Sequence, residues 1–483
     1  MSEQESLSSP MPRVLEPKSR PAGGTEQSWC KAVPGGTGIT VLALLLSKAP
    51  DVPFLQTTLR NLQNTHPILK SKLHYDSTST TYSYIIPATP QLQIQPFDLA
   101  SASEILRGLI RSNSTTFSTT DFHLILEHEL NRIVWPNPDP SSEADDADLF
   151  FASVYTLSDA KWVVALRLHT SVCDRTTAVS LLRELLKQMS ADNGEGTQKE
   201  IDEELLEVRL GIEDYVPSGK GNKPFWARGV DMLGYSLNSF RLSNLTFQDT
   251  GLPRSSQVIR LQINADATQK LISGCQARNI KLCGLLASAA LIAAHSAKCF
   301  PDDHWEKYAV VTLIDCRSLL DPVLENNDHG FYHSAILNSH DIKGGENLWE
   351  LAERTHASYN NAKNNNKHFS DMSDVNFLMC KAMENPGLTP SSSLRTALIS
   401  VFEDPVIDHS NQLHQRVGLE DYVGCASSHG VGPSIALFDT IRDGQLDCAC
   451  VYPSPLHSRD QMHELIGEMR RILVEASNDI DTS

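Results

Sequence analysis

A histidine and an aspartate that could act together lie in the segment LRLHTSVCDRTTAVSLL, residues 166–182. His169 ends an apolar run, and Asp174 follows it five positions later. An imidazole with a pKa of about 6.5 can accept a proton near neutral pH, so His169 is a candidate general base. Two structural roles remain open: His169 as a hydrogen-bonded residue at a strand end, and Asp174 as a helix cap or a partner of Arg175.

Thr170 follows His169 directly, and only one of these two side chains is expected to face a cleft. A threonine hydroxyl cannot act as a base near neutral pH. Adjacent residues on a strand point to opposite faces, so the side chain of His169 can face the same side as position 170 only if the strand end carries a bulge or a one-residue shift. The chemistry of this segment therefore depends on which of the two side chains faces a cleft.

Strands and helices that could position these residues are visible in the hydrophobic pattern. The strings DLFFASVYTL (148–157) and KWVVALRLH (161–169) predict two strands joined by a tight turn. The string TTAVSLLRELLKQM (176–189) predicts an amphipathic helix with a capping Thr or Asp at its start. Near the end of the chain, Asp443 and Gly444 predict the turn of a β-hairpin.

Length, charge and composition limit the class of protein. A chain of 483 residues exceeds one ordinary core, so we expect an N-terminal half over 28–215 and a C-terminal half over 216–483. A polar tail over 1–27 is expected to be disordered. The net charge of −18 argues against nucleic acid or an anionic membrane as a partner. No signal peptide or spanning segment is visible, which predicts a cytoplasmic protein.

The cysteines and the remaining histidines do not suggest a metal site. The ten cysteines form no C-x-x-C pair and no spacing suited to zinc, so we interpret them mostly as reduced core residues. His329 and His333 flank Gly330-Phe331-Tyr332, and we interpret both as residues on the exposed face of a strand. We predict no metal.

Five segments, in the same order along the chain, resemble the CoA-dependent acyltransferase superfamily. This superfamily includes chloramphenicol acetyltransferases, alcohol acetyltransferases, plant BAHD acyltransferases and peptide-synthetase condensation domains. The segments are LRNLQNTHPILKSKLHYD (59–76), VVALRLHTSVCDRTTAVSLLRELL (163–186), NIKLCGLLASAALIAA (279–294), VVTLIDCRSLLDPVLENNDHGFYHSAIL (310–337) and SSHGVGPSIALF (427–438). The BAHD string Asp-Phe-Gly-Trp-Gly is missing, so the resemblance is closer to the alcohol acetyltransferase and condensation-domain branches.

The resemblance implies an α/β fold of two chloramphenicol-acetyltransferase-like halves, a pseudo-dimer whose mixed sheets are covered by helices, with a channel between the halves. In the family motif His-His-x-x-x-Asp-Gly, the histidine four residues before the aspartate is the general base. Here Thr170 occupies that position, His169 matches the first histidine, and Arg175 stands in place of the glycine.

Two further residues follow from the resemblance. The family aspartate, matched by Asp174, orients the loop through an arginine of the other half, and Arg317 is the matching position. His429 falls near the region where family members line the channel, although a loop histidine beside two glycines is the interpretation that we favour.

Three functions remain open from the sequence. The resemblance favours acyl transfer from an acyl-CoA co-substrate to a small alcohol or amine acceptor, with no permanently bound cofactor. Thr170 and Arg175 favour a catalytically impaired relative that acts as a binding or scaffolding module, or a channel adapted to a reaction other than acyl transfer. Loss of a positioned general base would slow acyl transfer by about 10²–10⁴-fold.

Overall fold

The computed structural model describes residues 18–112, 119–137, 146–190, 208–223, 242–298, 300–301, 303–388 and 393–479. Its helices are α1 Gly24–Ala32, α2 Val52–Thr65, α3 Leu99–Ser112, α4 Asp121–Leu130, α5 Arg175–Ser190, α6 Ala265–Ala277, α7 Leu282–Ser296, α8 Leu348–Asn364, α9 Lys367–Ser370, α10 Met372–Glu384, α11 Asn411–Val417 and α12 Arg459–Asp479. Its strands are β1 Lys18–Pro21, β2 Thr37–Leu46, β3 Lys72–Asp76, β4 Thr81–Ile86, β5 Ile94–Phe97, β6 Ala147–Asp148, β7 Phe150–Ser158, β8 Lys161–His169, β9 Ser255–Ile263, β10 Glu306–Asp315, β11 His333–Ile342, β12 Arg395–Phe402, β13 Val406–Asp408, β14 Leu419–Ser428, β15 Gly432–Arg442 and β16 Gln445–Ser454.

The strands form two large mixed sheets and one small sheet. The five-stranded sheet of the N-terminal half has the order β14-β2-β8-β7-β5. The sheet of the C-terminal half has the order β11-β10-β12-β15-β16-β9, with β13 beside β15. The small sheet has the order β1-β4-β3-β6. Parallel pairs, such as β5 with β7 and β10 with β12, lie among antiparallel ones in both large sheets.

Strand β8, which delivers the candidate site, lies in the middle of the N-terminal sheet. Helices α2 and α5 pack on one face of this sheet through leucines such as Leu59 and Leu185, together with Leu166 of β8. Helix α4 packs on the opposite face, where Val163 of β8 is buried. Both faces of β8 are therefore covered, which explains why its sequence is a nearly continuous apolar run.

The core of the C-terminal half is built around α7, which is buried along nearly its whole length. Its many alanines let it pack closely against α8 and α12. Within the described residues, no single helix is long and apolar enough to cross a membrane. Helices α6 and α7 match that requirement only as a pair, and they are bent by 107° relative to each other.

Strand β14 joins the two halves because it belongs to the C-terminal half in sequence but to the N-terminal sheet in space. It pairs antiparallel with β2 along most of its length, from Leu419 opposite Leu46 to Ser428 opposite Thr37. The predicted boundary near residue 215 therefore divides the chain in sequence only, because the sheet of the first half is completed by a strand of the second.

Part of the N-terminal segment that we predicted to be disordered from its polar composition forms regular elements. Residues 18–21 form β1, which pairs with β4, and α1 begins at Gly24. Arg20 contributes to this order because its guanidinium donates two hydrogen bonds of 2.7 Å to Glu26. The prediction of disorder is thus wrong for residues 18–27, and residues 1–17 lie outside the described part of the chain.

Candidate active site

The loop between β8 and α5 carries the residues that the sequence singled out. Strand β8 ends at His169, a single 3₁₀ turn covers Thr170–Val172, and α5 begins at Arg175. Asp174 caps this helix, because its Oδ1 accepts a hydrogen bond of 2.8 Å from the backbone N–H of Thr177. We call residues 169–175 the signature loop.

His169 points into the body of the N-terminal half. Its ring packs edge-on against Trp135 with a centroid distance of 5.1 Å, and its Nδ1 lies 2.8 Å from Oγ of Ser171. Burial lowers the pKa of His169 to about 3. Since the side chain is fully buried and lies outside the cavity wall, its position does not suit a general base for a bound substrate.

Thr170 faces the opposite way and lines a cavity between the halves. Its Oγ1 lies 2.8 Å from Oγ1 of Thr40 on β2. Gly38 lies close by with a φ of +94°, and a Cβ there would stand 3.2 Å from Cβ of Thr170. The position that holds a base in the family motif thus presents a hydroxyl, which is hydrogen-bonded to the neighbouring strand.

Asp174 forms a buried ion pair with Arg317 across the junction of the halves. The two carboxylate oxygens accept hydrogen bonds of 2.9 and 3.0 Å from the guanidinium, which is the pairing that the resemblance predicts. Burial alone would raise the pKa of Asp174, but the charge of Arg317 and the contact with His333 hold that pKa well below its usual range. Asp174 therefore remains ionised and joins the signature loop to the second half.

The segment Gly330–Tyr332 is held against the same aspartate. The N–H of Tyr332 donates to Oδ2 of Asp174 at 2.8 Å, and the N–H of Asp174 donates to the carbonyl of Gly330 at 3.1 Å. The hydroxyl of Thr177 donates to that same carbonyl at 2.9 Å. These bonds fix the chain immediately before β11, and so they fix its first residue, His333.

His333 lies beside Asp174 in the cavity wall, where the sequence had suggested an exposed strand residue. Its Nδ1 is 3.0 Å from Oδ2 of Asp174, although the two atoms are not aligned as a full hydrogen bond. The ring stands nearly perpendicular to that of Phe402 at a centroid distance of 5.8 Å. The interpretation of His329 and His333 as exposed is wrong, since each is only 5% exposed. The signal available in the sequence was that His333 lies in the fourth resembling segment, residues 310–337, which also contains Arg317.

Arg175 spans the space between the halves. Its guanidinium lies 4.1 Å from the ring centroid of Phe402 on β12 and donates a hydrogen bond of 2.9 Å to Oδ1 of Asp439 on β15. It also donates to the carbonyl of Asp404 at 3.2 Å. The arginine that replaces the family glycine thus contributes a cross-link between α5 and the C-terminal sheet.

The cavity itself has a volume of about 520 Å³, which is within the range of small-molecule sites. Both halves contribute apolar side chains to the wall, such as Leu42 and Leu182 from the N-terminal half and Leu313, Leu337 and Phe438 from the C-terminal half. The signature loop contributes the polar residues Thr170, Asp174 and Arg175 to this wall. The cavity can therefore hold a largely apolar molecule with one reactive end near Thr170, Asp174 and His333.

His429 does not line this cavity, in contrast to the expectation from the resemblance. Its ring packs directly over Gly36, and its Nδ1 lies 3.0 Å from Oγ of Ser256. Burial lowers the pKa of His429 to about 4. Its neighbours Ser428 and Val431 do contribute to the cavity wall, so the loop lies at the cavity while this side chain points away from it.

His66 and Glu184 of the N-terminal half contact His329 of the C-terminal half and form a cluster outside the cavity wall. Nε2 of His66 lies 2.8 Å from Oε2 of Glu184, and Nε2 of His329 lies 3.7 Å from Oε1 of the same carboxylate. The rings of His66 and His329 are stacked with centroids 3.6 Å apart. Imidazole ligands of one tetrahedral ion must diverge from each other, so this stacked arrangement is not that of a zinc site.

Comparisons with solved structures define the class of fold. A trichothecene 15-O-acetyltransferase from Fusarium sporotrichioides matches with a TM-score of 0.69 at 11% identity, over 98% of this chain and 99% of that chain. Polyketide synthase associated protein 5 from Mycobacterium tuberculosis matches with a TM-score of 0.62 at 16% identity, over 95% and 98%. The epimerization domain from the third module of tyrocidine synthetase B matches with a TM-score of 0.60 at 12% identity, over 98% and 99%.

These matches extend over the whole chain, and they confirm the two-halved fold like that of chloramphenicol acetyltransferase. Identities of this size show the fold alone. No protein-family model and no curated protein matches the sequence.

Proposed function

We propose that the protein transfers an acyl group from a CoA thioester to an alcohol or amine acceptor in the cavity between its halves. The observation that carries this proposal is the cavity of about 520 Å³ at the junction, in whose wall the signature loop places Thr170 and Asp174. The fold is shared with an acetyltransferase, and the mostly apolar surface of the cavity suits the carbon chain of an acyl group.

A second candidate is a catalytically impaired protein that binds a ligand in the same cavity or uses it for another reaction. Thr170 in the position of the family base and Arg175 between the halves favour this candidate. One structural neighbour with this fold is named for a different reaction, epimerization. The fold therefore does not decide between acyl transfer and the second candidate.

The test is an assay of the purified protein with acetyl-CoA and longer acyl-CoAs, each combined with a panel of alcohols and amines. Release of free thiol and the mass of the acylated product are measured together, and CoA binding is measured by calorimetry. Acylated product supports acyl transfer. CoA or ligand binding without product supports the second candidate, and neither binding nor product contradicts the acyltransferase proposal.

A matched pair of variants on α5 locates the reaction. Val179 lines the cavity, whereas Lys187 lies on the exposed side of the same helix. We expect Val179→Trp to fill part of the cavity and lower transfer at least tenfold, and Lys187→Trp to leave it unchanged. Equal rates in the two variants would place the reaction outside the cavity.

A further inference from the structure

We propose that His333, supplied by the C-terminal half, is the general base of this cavity and replaces the histidine that Thr170 displaces. This inference rests on the proposed acyl transfer and names the residue that would perform its proton transfer. It follows from the position of three groups: an imidazole in the cavity wall, a buried carboxylate beside it, and a hydroxyl where the family base is expected.

The contact with Asp174 determines which nitrogen is available. Nδ1 of His333 lies 3.0 Å from the ionised carboxylate, so the tautomer with the proton on Nδ1 is favoured. The two ring nitrogens project in divergent directions, and Nε2 therefore points away from Asp174 and carries the free lone pair. Because His333 lines the cavity, Nε2 is the atom that an acceptor can approach.

The position of His333 is held by the surrounding structure. The hydrogen bond from the N–H of Tyr332 to Asp174 fixes the preceding residue, and Arg317 fixes the carboxylate through two hydrogen bonds. At the start of β11, His333 pairs in register with Asp315 of β10. A base held from several sides satisfies the positional requirement of general-base catalysis.

In the proposed step, one proton passes from the acceptor to His333 and then to the departing sulfur. Nε2 of His333 takes the proton of the acceptor O–H or N–H while the acceptor atom forms a bond to the thioester carbonyl carbon. The resulting tetrahedral oxyanion re-forms the carbonyl as the C–S bond breaks, and the departing sulfur receives the proton from the imidazolium. The products are the ester or amide and free CoA thiol, with His333 neutral again.

His414 is the other histidine found in the cavity wall among the described residues, and its geometry is less suitable. Its Nε2 is buried and faces Asp408 at 3.4 Å, and Tyr422 donates a hydrogen bond of 2.6 Å to the same carboxylate oxygen. The contact with Asp408 leaves Nδ1 as the other ring nitrogen of His414. His414 also lies on α11, outside the signature loop and its partners.

The decisive experiment compares His333→Ala with His340→Ala in the acyl-transfer assay of the full chain. Both histidines lie on β11 and are buried, but His340 lies outside the cavity wall. We expect His333→Ala to lower the rate by about 10²–10⁴-fold and His340→Ala to change it only a few-fold. Added imidazole should partly restore the His333→Ala rate, which a purely structural role would not allow.

Folding is checked by circular dichroism and thermal unfolding, and His333→Gln serves if the alanine variant does not fold, because glutamine keeps the volume without a basic nitrogen. If the wild type transfers acyl groups and both His333 variants keep that rate, or if His414→Ala alone abolishes it, His333 is not the base and acyl transfer stands. A wild type that transfers no acyl group overturns both proposals together.

Discussion

At Asp174, one carboxylate caps a helix, pairs with an arginine of the other half and approaches a histidine of the cavity wall. Thr177, Arg317 and His333 all lie within hydrogen-bond or ion-pair distance of it. The charged groups are almost entirely buried, so removing one of them leaves its partner with less compensation. The signature loop therefore depends on this residue for structure whatever reaction the cavity supports.

We expect Asp174→Asn to lower the free energy of unfolding by about 3 kcal/mol, because Arg317 is left buried with less compensation. The value is at the lower end for such pairs because Asp315 also contacts Arg317 at 3.0 Å. The control is Asp315→Asn, whose side chain is 33% exposed and whose loss should cost about 1 kcal/mol or less. Chemical denaturation of both variants measures the difference, and equal losses would contradict the assignment.

Acid stability should depend on the same carboxylate. Because the pKa of Asp174 is lower in the folded than in the unfolded protein, its contribution is complete above the unfolded value of about 3.9. It is lost as the pH falls from there toward the folded value. We therefore expect the stability of Asp174→Asn to fall less steeply than that of the wild type below about pH 4 in urea titrations. Parallel pH profiles would contradict this expectation.

A second substitution, at Thr170, tests whether an imidazole elsewhere in the cavity wall can replace that of His333. In the His333→Ala background, Thr170→His restores an imidazole at the position of the family base, and this side chain can extend into the cavity. We expect at least a tenfold gain in transfer over His333→Ala. Thr170→Gln in the same background is the control, because it has similar size without a base. A gain with glutamine as well would show that volume, not proton transfer, is responsible.

At the scale of elements, the hairpin of β15 and β16 depends on a turn that few residues can form. Asp443 and Gly444 have φ values of +53° and +75°, as expected for a two-residue hairpin turn. We expect Gly444→Ala to lower the free energy of unfolding by about 1 kcal/mol, because alanine is strained at positive φ.

The control is the same substitution at Gly467 in the middle of α12, where we expect alanine to raise stability. A Cβ added there has no atom within 4 Å, so Gly467→Ala should raise stability by about 0.5–1 kcal/mol through its higher helix propensity. Thermal unfolding of the two variants should therefore shift in opposite directions. Shifts in the same direction would mean that the turn is not strained by alanine.

At the scale of the whole molecule, the two halves cannot be separated without breaking a sheet. Strand β14 completes the N-terminal sheet at β2, and Asp174 and Arg175 form ion pairs with the other half. The reaction space lies between the halves, so its shape depends on how these contacts hold them together.

We accordingly expect a single cooperative unfolding transition for the full chain. A fragment of residues 1–215 would leave the apolar strand β2 as an open edge without β14, and we expect it to be unfolded or aggregated. Calorimetry of the full chain and circular dichroism of the fragment measure these outcomes. Two separate transitions, or a soluble folded fragment, would show that β14 is dispensable.

The sequence by itself determined the local elements. Strand β8, helix α5 and the hairpin turn at Asp443 and Gly444 lie close to where their patterns predict them. These features depend on hydrophobic period, capping and turn chemistry among residues only a few positions apart. The order of the resembling segments added the fold, and with it the partner of Asp174.

Only the tertiary structure decided what surrounds the reactive end of the cavity. It placed Thr170 in the wall and His169 behind it, brought His333 to Asp174, directed Arg175 to Asp439, and turned His429 away from the cavity. The contacts of His333, Arg175 and His429 join residues far apart in sequence, and no local period or spacing encodes such partners. The orientations of His169 and Thr170 are the exception, because these residues are adjacent. Even for that adjacent pair, alternation fixes only that they face opposite sides, and packing against Trp135 and the second half decides which side is the cavity.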